Sequence, residues 1–263
     1  TLTRIEYTDK ALLLETYAKD SGSVIGRALL PAELELFGGF YAGEKYNYIV
    51  FGNKNPSDSD DMEVMRAVKY SKSWERLSAL SWKGCNTYIP FDAGSLRMTE
   101  GNGKLYIHTC HEMYLSSDGN HHQANMTFVV NEESMSEEQS YYDVMNIAQA
   151  GYVSHSFNQF VRTDGKMVYR VDHGDASPRG ISITACKVGG DITKVRYTIP
   201  ISLSRVTGSH YNKTGASVGG FELSADNCLI VGNSVDFGRD CSDSDVRNVF
   251  VSVTGKNFDG NSL

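Results

Sequence analysis

Phe157-Asn158-Gln159-Phe160-Val161 turns at Thr163-Asp164-Gly165-Lys166 into Met167-Val168-Tyr169-Arg170-Val171-Asp172-His173-Gly174. The same arrangement occurs three more times. Gly38-Gly39-Phe40-Tyr41 turns at Ala42-Gly43-Glu44-Lys45 into Tyr46–Asn53; Ser95-Leu96-Arg97-Met98 turns at Glu100-Gly101-Asn102-Gly103 into Leu105–Glu112; Gly219-Gly220-Phe221-Glu222-Leu223 turns at Ala225-Asp226-Asn227 into Cys228–Asn233. Each is a strand, a tight turn, a longer apolar strand and a polar loop, repeating about every 60 residues. A fixed period with a hairpin inside it is how radial β-repeats are written.

Working outward, each full repeat offers four strands: roughly 37–42, 46–53, 63–70 and 75–82, then 94–99, 104–111, 123–131 and 137–143, then 156–162, 166–172, 180–188 and 192–200. The last repeat offers 217–224, 228–235 and 246–254. Alternation supports them: Ile181, Ile183 and Ala185 fall on one face, Ser182, Thr184 and Cys186 on the other. Before residue 37 only Thr3–Tyr7 and Leu12–Tyr17 read as strands, and Ser140–Ala150 reads as one or two helical turns. The expected fold is all-β, a β-propeller of about five four-stranded blades in one domain, residues 1–263. Its blades are approximately 1–36, 37–91, 92–153, 154–213 and 214–263, the first short and the last incomplete. Either Thr1–Tyr7 completes the last blade and closes the ring, or the chain is a fragment of a larger ring; a β-sandwich or a solenoid is the alternative fold, and a 60-residue period is too long for a solenoid coil.

Composition narrows the function classes. The chain has 263 residues, enough for a sizeable core, with 15 Tyr and 11 Phe that suit half-buried strands. A net charge of −7 without a basic stripe argues against nucleic acid as a partner. No apolar run is long enough to span a bilayer, so no membrane insertion is expected. The chain opens on Thr1 rather than Met, which reads as a processed or excised piece. Five cysteines form no CxxC pair, and Cys110, Cys186 and Cys228, inside apolar runs, read as small buried hydrophobes.

In a propeller the entry to each innermost strand and the loop after the second strand emerge at one end of the channel. Asp92, Ser154, His155 and Thr214 fall in the first set; Asn53, His111, Glu112, His173, Asp175 and Asn233 fall in the second. Six of seven histidines (His111, His121, His122, His155, His173 and His210) lie in or beside these loops. Imidazoles, carboxylates and amides around a concave mouth describe a ligand site. The expected ligand-binding residues are His111, Glu112, His155, Asn158, His173 and Asp175, and the expected partner is a glycan, a peptide or a host protein. If the chain is an enzyme, Glu112, Asp175 and Asp92 are the carboxyl groups available to a glycosidase. The expected function is an extracellular ligand-recognition module, with a carbohydrate-active hydrolase or a purely structural surface-protein platform as the alternatives, and no cofactor is expected. The acidic loops 53–61 and 236–245 suit calcium weakly, lacking the EF-hand pattern. Asn125-Met126-Thr127 and Asn212-Lys213-Thr214 match the glycosylation sequon.

Gly38-Gly39-Phe40-Tyr41-Ala42-Gly43-Glu44-Lys45-Tyr46, Cys110-His111-Glu112-Met113-Tyr114, His122-Gln123-Ala124-Asn125, Tyr152–Phe160 and Asp172-His173-Gly174-Asp175 resemble stretches of uncharacterised secreted or cell-surface β-propeller-like proteins of anaerobic gut bacteria. The resemblance covers most of residues 37–255. It implies an extracellular or cell-surface setting and a propeller-like region that continues past the chain's end. It implies no activity.

Overall fold

The structure, a computed structural model, describes residues 1–8, 10–92, 94–147, 151–153, 156–174, 180–202, 216–235 and 245–258. Among them there is no α-helix, and so no helix long and apolar enough to cross a membrane. The chain is all-β, built as five antiparallel sheets in chain order plus one two-stranded hairpin. Sheet I contains β1 (Leu2–Thr8), β2 (Ala11–Tyr17) and β3 (Val24–Pro31); sheet II contains β4 (Leu36–Ala42), β5 (Asn47–Gly52), β6 (Glu63–Tyr70) and β7 (Arg76–Lys83). Sheet III contains β8 (Thr87–Pro90), β9 (Arg97–Gly101), β10 (Lys104–Met113), β11 (Gln123–Asn131) and β12 (Ser136–Tyr141). The hairpin β13 (Met145–Ile147) and β14 (Gly151–Val153) follows. Sheet IV contains β15 (Ser156–Thr163), β16 (Met167–Gly174), β17 (Gly180–Lys187) and β18 (Arg196–Ser202); sheet V contains β19 (Ser217–Leu223), β20 (Asn227–Ser234) and β21 (Asn248–Gly255).

Sheets I, II, IV and V are meanders, every strand pairing with the next. The turns have the chemistry that meanders need. Between β9 and β10, Asn102 (φ 53°) and Gly103 (φ 72°) both take positive φ, the two-residue arrangement whose twist matches the flanking strands. In sheet III the innermost position is shared by two short strands: β8 pairs with the far end of β10 and β9 with its near end.

Period two decides how the sheets pack. On β5, Ile49 and Phe51 meet Leu12, Leu14 and Leu30 of sheet I. The intervening Tyr48 and Val50 join Leu105, Ile107, Met126 and Phe128 of sheet III. On β10 the alternate residue Tyr106, with Val129, meets Val161, Val168 and Cys186 of sheet IV. On β16, Tyr169 and Val171 join Phe160, Ile181 and Ile183 against Val218, Phe221, Cys228 and Ile230 of sheet V. Four apolar seams therefore join five sheets in sequence. The second strand of each inner sheet reads as a continuous apolar run because both of its faces are covered.

The structure corrects three expectations. Thr1–Tyr7 does not complete the last sheet: β1 belongs to sheet I, where it pairs with β2, and sheet V among the described residues holds only β19, β20 and β21. A hairpin closed over a few residues forms at far less entropic cost than one closed over the whole chain. Val24–Pro31 is a third strand of sheet I that the sequence reading missed. The 140–147 stretch, expected to be helical, ends β12 and supplies β13, and its remaining residues 148–150 lie outside the described ones.

Candidate functional site

The hairpin registers align the repeats residue by residue. In sheets II, IV and V the pairs Phe40–Ile49, Val161–Arg170 and Phe221–Ile230 occupy equivalent positions, as does Met98–Ile107 in sheet III. One position further along, the second strands carry Val50, His108, Val171 and Val231. Thus His108 stands where the other sheets have valine, and Arg170 stands where they have isoleucine. Both substitutions face the same seam, between sheets III and IV.

That seam is apolar at one end and polar along the rest. His108 is buried, with Nε2 at 3.0 Å from Asp172 Oδ1 and Nδ1 at 2.9 Å from Thr127 Oγ1. The buried Arg170 donates to Thr127 Oγ1 at 3.0 Å and to the Ile192 carbonyl at 2.8 Å. Cys110 donates to the Asp92 carbonyl at 2.9 Å, and burial with Asp92 and Asp172 nearby pushes its thiol well above the ordinary range. Buried Asn125 Oδ1, Thr184 Oγ1 and Arg170 Nε find no hydrogen-bond partner among the described residues. A buried polar layer this large is expensive unless it does something an apolar core does not. The expected sequon asparagine Asn125 is buried in this layer, which rules out its glycosylation in the folded chain.

The polar face of sheet III runs out to a half-exposed cluster. Glu112 and Gln123 are cross-strand partners. Gln123 Nε2 donates to Asp92 Oδ2 at 2.7 Å, and Glu112 Oε1 lies 3.3 Å from His121 Nδ1. The His121 ring packs on Tyr88, centroids 4.5 Å apart. Around them the β10–β11 loop is fastened in several places. Asn86 Nδ2 donates to the Leu115 carbonyl at 2.8 Å, Tyr114 donates to Asp60, and His122 Nε2 is 2.8 Å from Asp118 Oδ2. The His122 ring and the Asn120 amide hold the Asp118 carboxyl well below the usual range. The result is an aromatic ring, an imidazole, two carboxylates and an amide on a braced surface, the mixture that binds hydroxyl- and amide-rich ligands.

The sequence-expected residues divide among several places. Glu112 and Asp92 meet at this cluster through Gln123. His111 and His173 lie buried inside β10 and β16 rather than in loops. They face the seams with sheets II and V, since their neighbours in the alternation, Ile107 and Val171, do so. His111 Nδ1 is 2.8 Å from Thr87 Oγ1, and burial pushes its pKa down to about 3. Asn158 joins two sheets: its Oδ1 accepts from Ser217 Oγ and from the Val218 amide, each at 3.2 Å. His155 and Asp175 lie outside the described residues. The sequence reading counted His121 among the histidines in or beside the mouth's loops but not among the expected ligand-binding residues, and it missed His108, Arg170, Asp172, Thr127, Tyr88 and Gln123. For His108 and Arg170 a signal existed, the break in the Val and Ile positions of the repeat. In the acidic 53–61 loop, Asn55 ties both ends through Ser59, and Asp60 accepts from Tyr114. Among the described residues no group of three or more His, Cys, Asp or Glu is placed to hold a metal, and most of loop 236–245 is not described.

No protein-family model and no curated protein matches the chain. Solved structures are similar at low identity. Cobalt-substituted Synechocystis ACO has a TM-score of 0.48 and 10% identity, over 88% of this chain and 51% of its own. Bacteroides ovatus xyloglucan PUL GH43B gives 0.43 and 8%, over 85% of this chain and 39% of its own. A GH43 endo-arabinanase from Bacillus licheniformis gives 0.29 and 11%, over 81% of this chain and 91% of its own. The chain thus spans about half of the first structure and less of the second. At these scores the architecture rests on the strand pairing itself, and no chemistry is carried over.

Proposed function

We propose that the five sheets are successive blades of a β-propeller, and that the chain is a recognition module. It holds a glycan or a peptide of a protein ligand where the seam between sheets III and IV opens. Tyr88 and His121 supply a flat face; Glu112, Gln123 and Asp92 supply hydrogen-bonding groups. His111 and His173, on the opposite faces of β10 and β16, and Asn158, which ties sheet IV to sheet V, brace the strands behind it. The setting is extracellular or on a cell surface.

One observation carries this reading. Of the four seams, the one between sheets III and IV has His and Arg at the repeat's Val and Ile positions, and its polar face leads to the half-exposed Glu112–His121–Tyr88 cluster. Glycan and peptide arrays probed with the wild-type chain and with an E112Q/H121A variant test it. Ligands captured by the wild type are expected to bind at least about tenfold more weakly to the variant, as loss of a charged hydrogen bond implies. Unchanged binding by a folded variant overturns the assignment.

A hydrolase is the second reading, favoured by two carboxylates, Asp92 and Glu112, adjoining one amide, Gln123. Release of reducing sugar from polysaccharides, abolished in both D92N and E112Q, is its signature. Activity that survives either substitution removes these residues from such a role.

A further inference from the structure

Among the described residues Arg170 is the largest side chain that the fold encloses completely, 1% exposed where sheets III and IV meet. Its guanidinium is a permanent cation. Nη1 donates to Thr127 Oγ1 at 3.0 Å and Nη2 to the Ile192 carbonyl at 2.8 Å, and both acceptors are neutral. No carboxylate oxygen among the described residues lies within 4.0 Å of it. Asp172, two residues along the same face, is engaged by His108, Oδ1 to Nε2 at 3.0 Å. A buried charge without a counter-ion is among the most expensive groups a fold can hold.

The unmet donors show where a counter-ion fits. Arg170 Nε has no hydrogen-bond partner, and neither has the Oγ1 of Thr184, which is 2% exposed. Thr184 is the direct cross-strand partner of Arg170, so both side chains rise from one face of sheet IV into the seam. Such partners have Cβ atoms about 4.5–5.5 Å apart, close enough for an N–H and an O–H to meet at one small guest. On the facing strand β11 the buried Asn125 also has an unpartnered amide oxygen; a half turn of that amide presents its NH2 group instead.

We propose that this part of the seam binds a small monovalent anion, chloride being the probe, held by Arg170 Nε and Thr184 Oγ1. The guanidinium supplies the charge, and enclosure by the neighbouring Val161, Val168 and Cys186 keeps water and larger oxyanions out. The ion acts as a structural cofactor between sheets III and IV. It lies apart from the Glu112–His121–Tyr88 cluster and does not depend on what that cluster binds.

Urea denaturation of the full chain in increasing sodium chloride tests this, with sodium gluconate holding ionic strength constant, since gluconate is too large to enter. In the wild type each tenfold rise in chloride above half-saturation is expected to multiply the folding equilibrium constant by up to about tenfold. T184V, nearly the same shape, is expected to need about tenfold more chloride for the same gain, and R170M to show none. T184V decides the matter even where R170M does not fold. Crystals grown in sodium bromide are expected to show anomalous density beside Arg170 Nε. A wild type equally stable in chloride and gluconate overturns the proposal. So does a chloride gain undiminished in T184V, or an ordered water without anomalous signal beside Arg170 Nε.

Discussion

His111 shows how one buried side chain makes a fold sensitive to acid. Its ring is fully enclosed, one nitrogen bound to Thr87, and burial lowers its pKa from 6.5 to about 3. The unfolded chain takes up the proton at the higher value. The stability it contributes is therefore complete above pH 6.5 and is lost as pH falls toward 3. By pH 5 the loss is about 2 kcal/mol for this one group. Replacing His111 with Gln keeps a partner for Thr87 and removes the titration. Urea denaturation at pH 7 and pH 5 is expected to show a drop in the wild type about 2 kcal/mol larger than in H111Q. Equal drops would mean that the ring is not enclosed as described. This residue was legible in the sequence as a candidate, because it ends an apolar strand, but its burial was not. A strand end and a loop start look alike until the neighbouring sheet is known.

At the scale of the element, glycines fix how closely sheets II and III approach. A Cβ on Gly38 would lie 2.6 Å from the Phe91 ring, and one on Gly52 would lie 2.7 Å from it. The ring lies against both strands. G38A is expected to cost about 1–3 kcal/mol by overpacking, and clearly less in an F91A background. Chemical denaturation of the two single variants and the double variant reads the coupling, and simple additivity would contradict the contact. Most strands were legible: β5, β6, β11, β16 and β20 lie within a residue or so of where alternation and turn chemistry put them. β3 was not, because Gly26 and Pro31 interrupt its pattern and only Leu30 is fully buried. β8 was not, because four residues ending in Pro90 read as loop, and only pairing with His111 and Glu112 makes them a strand.

Across the whole molecule, the repeat predicted sheets in series, and the structure orders them so, each packed on the next through its own seam. What the sequence could not display was which seam differs. His108, Thr127, Arg170 and Asp172 look like scattered polar residues until the hairpin registers superpose the repeats. Then His108, Thr127 and Arg170 stand at positions that hold aliphatic residues in the other aligned sheets, and Asp172 lies across the same seam from His108. The candidate mouth is the outlet of that seam, so its existence depends on sheet III meeting sheet IV at these side chains.

The most direct test is a double-mutant cycle on His108 and Asp172, 64 residues apart in sequence and 3.0 Å apart in the fold. H108A, D172A and the double variant are compared with the wild type by urea denaturation at pH 7. A coupling energy of about 1 kcal/mol or more is expected, since each single change strands a buried polar partner. Additive losses, with no coupling beyond about 0.5 kcal/mol, would contradict the packing of sheet III on sheet IV and the site built on it.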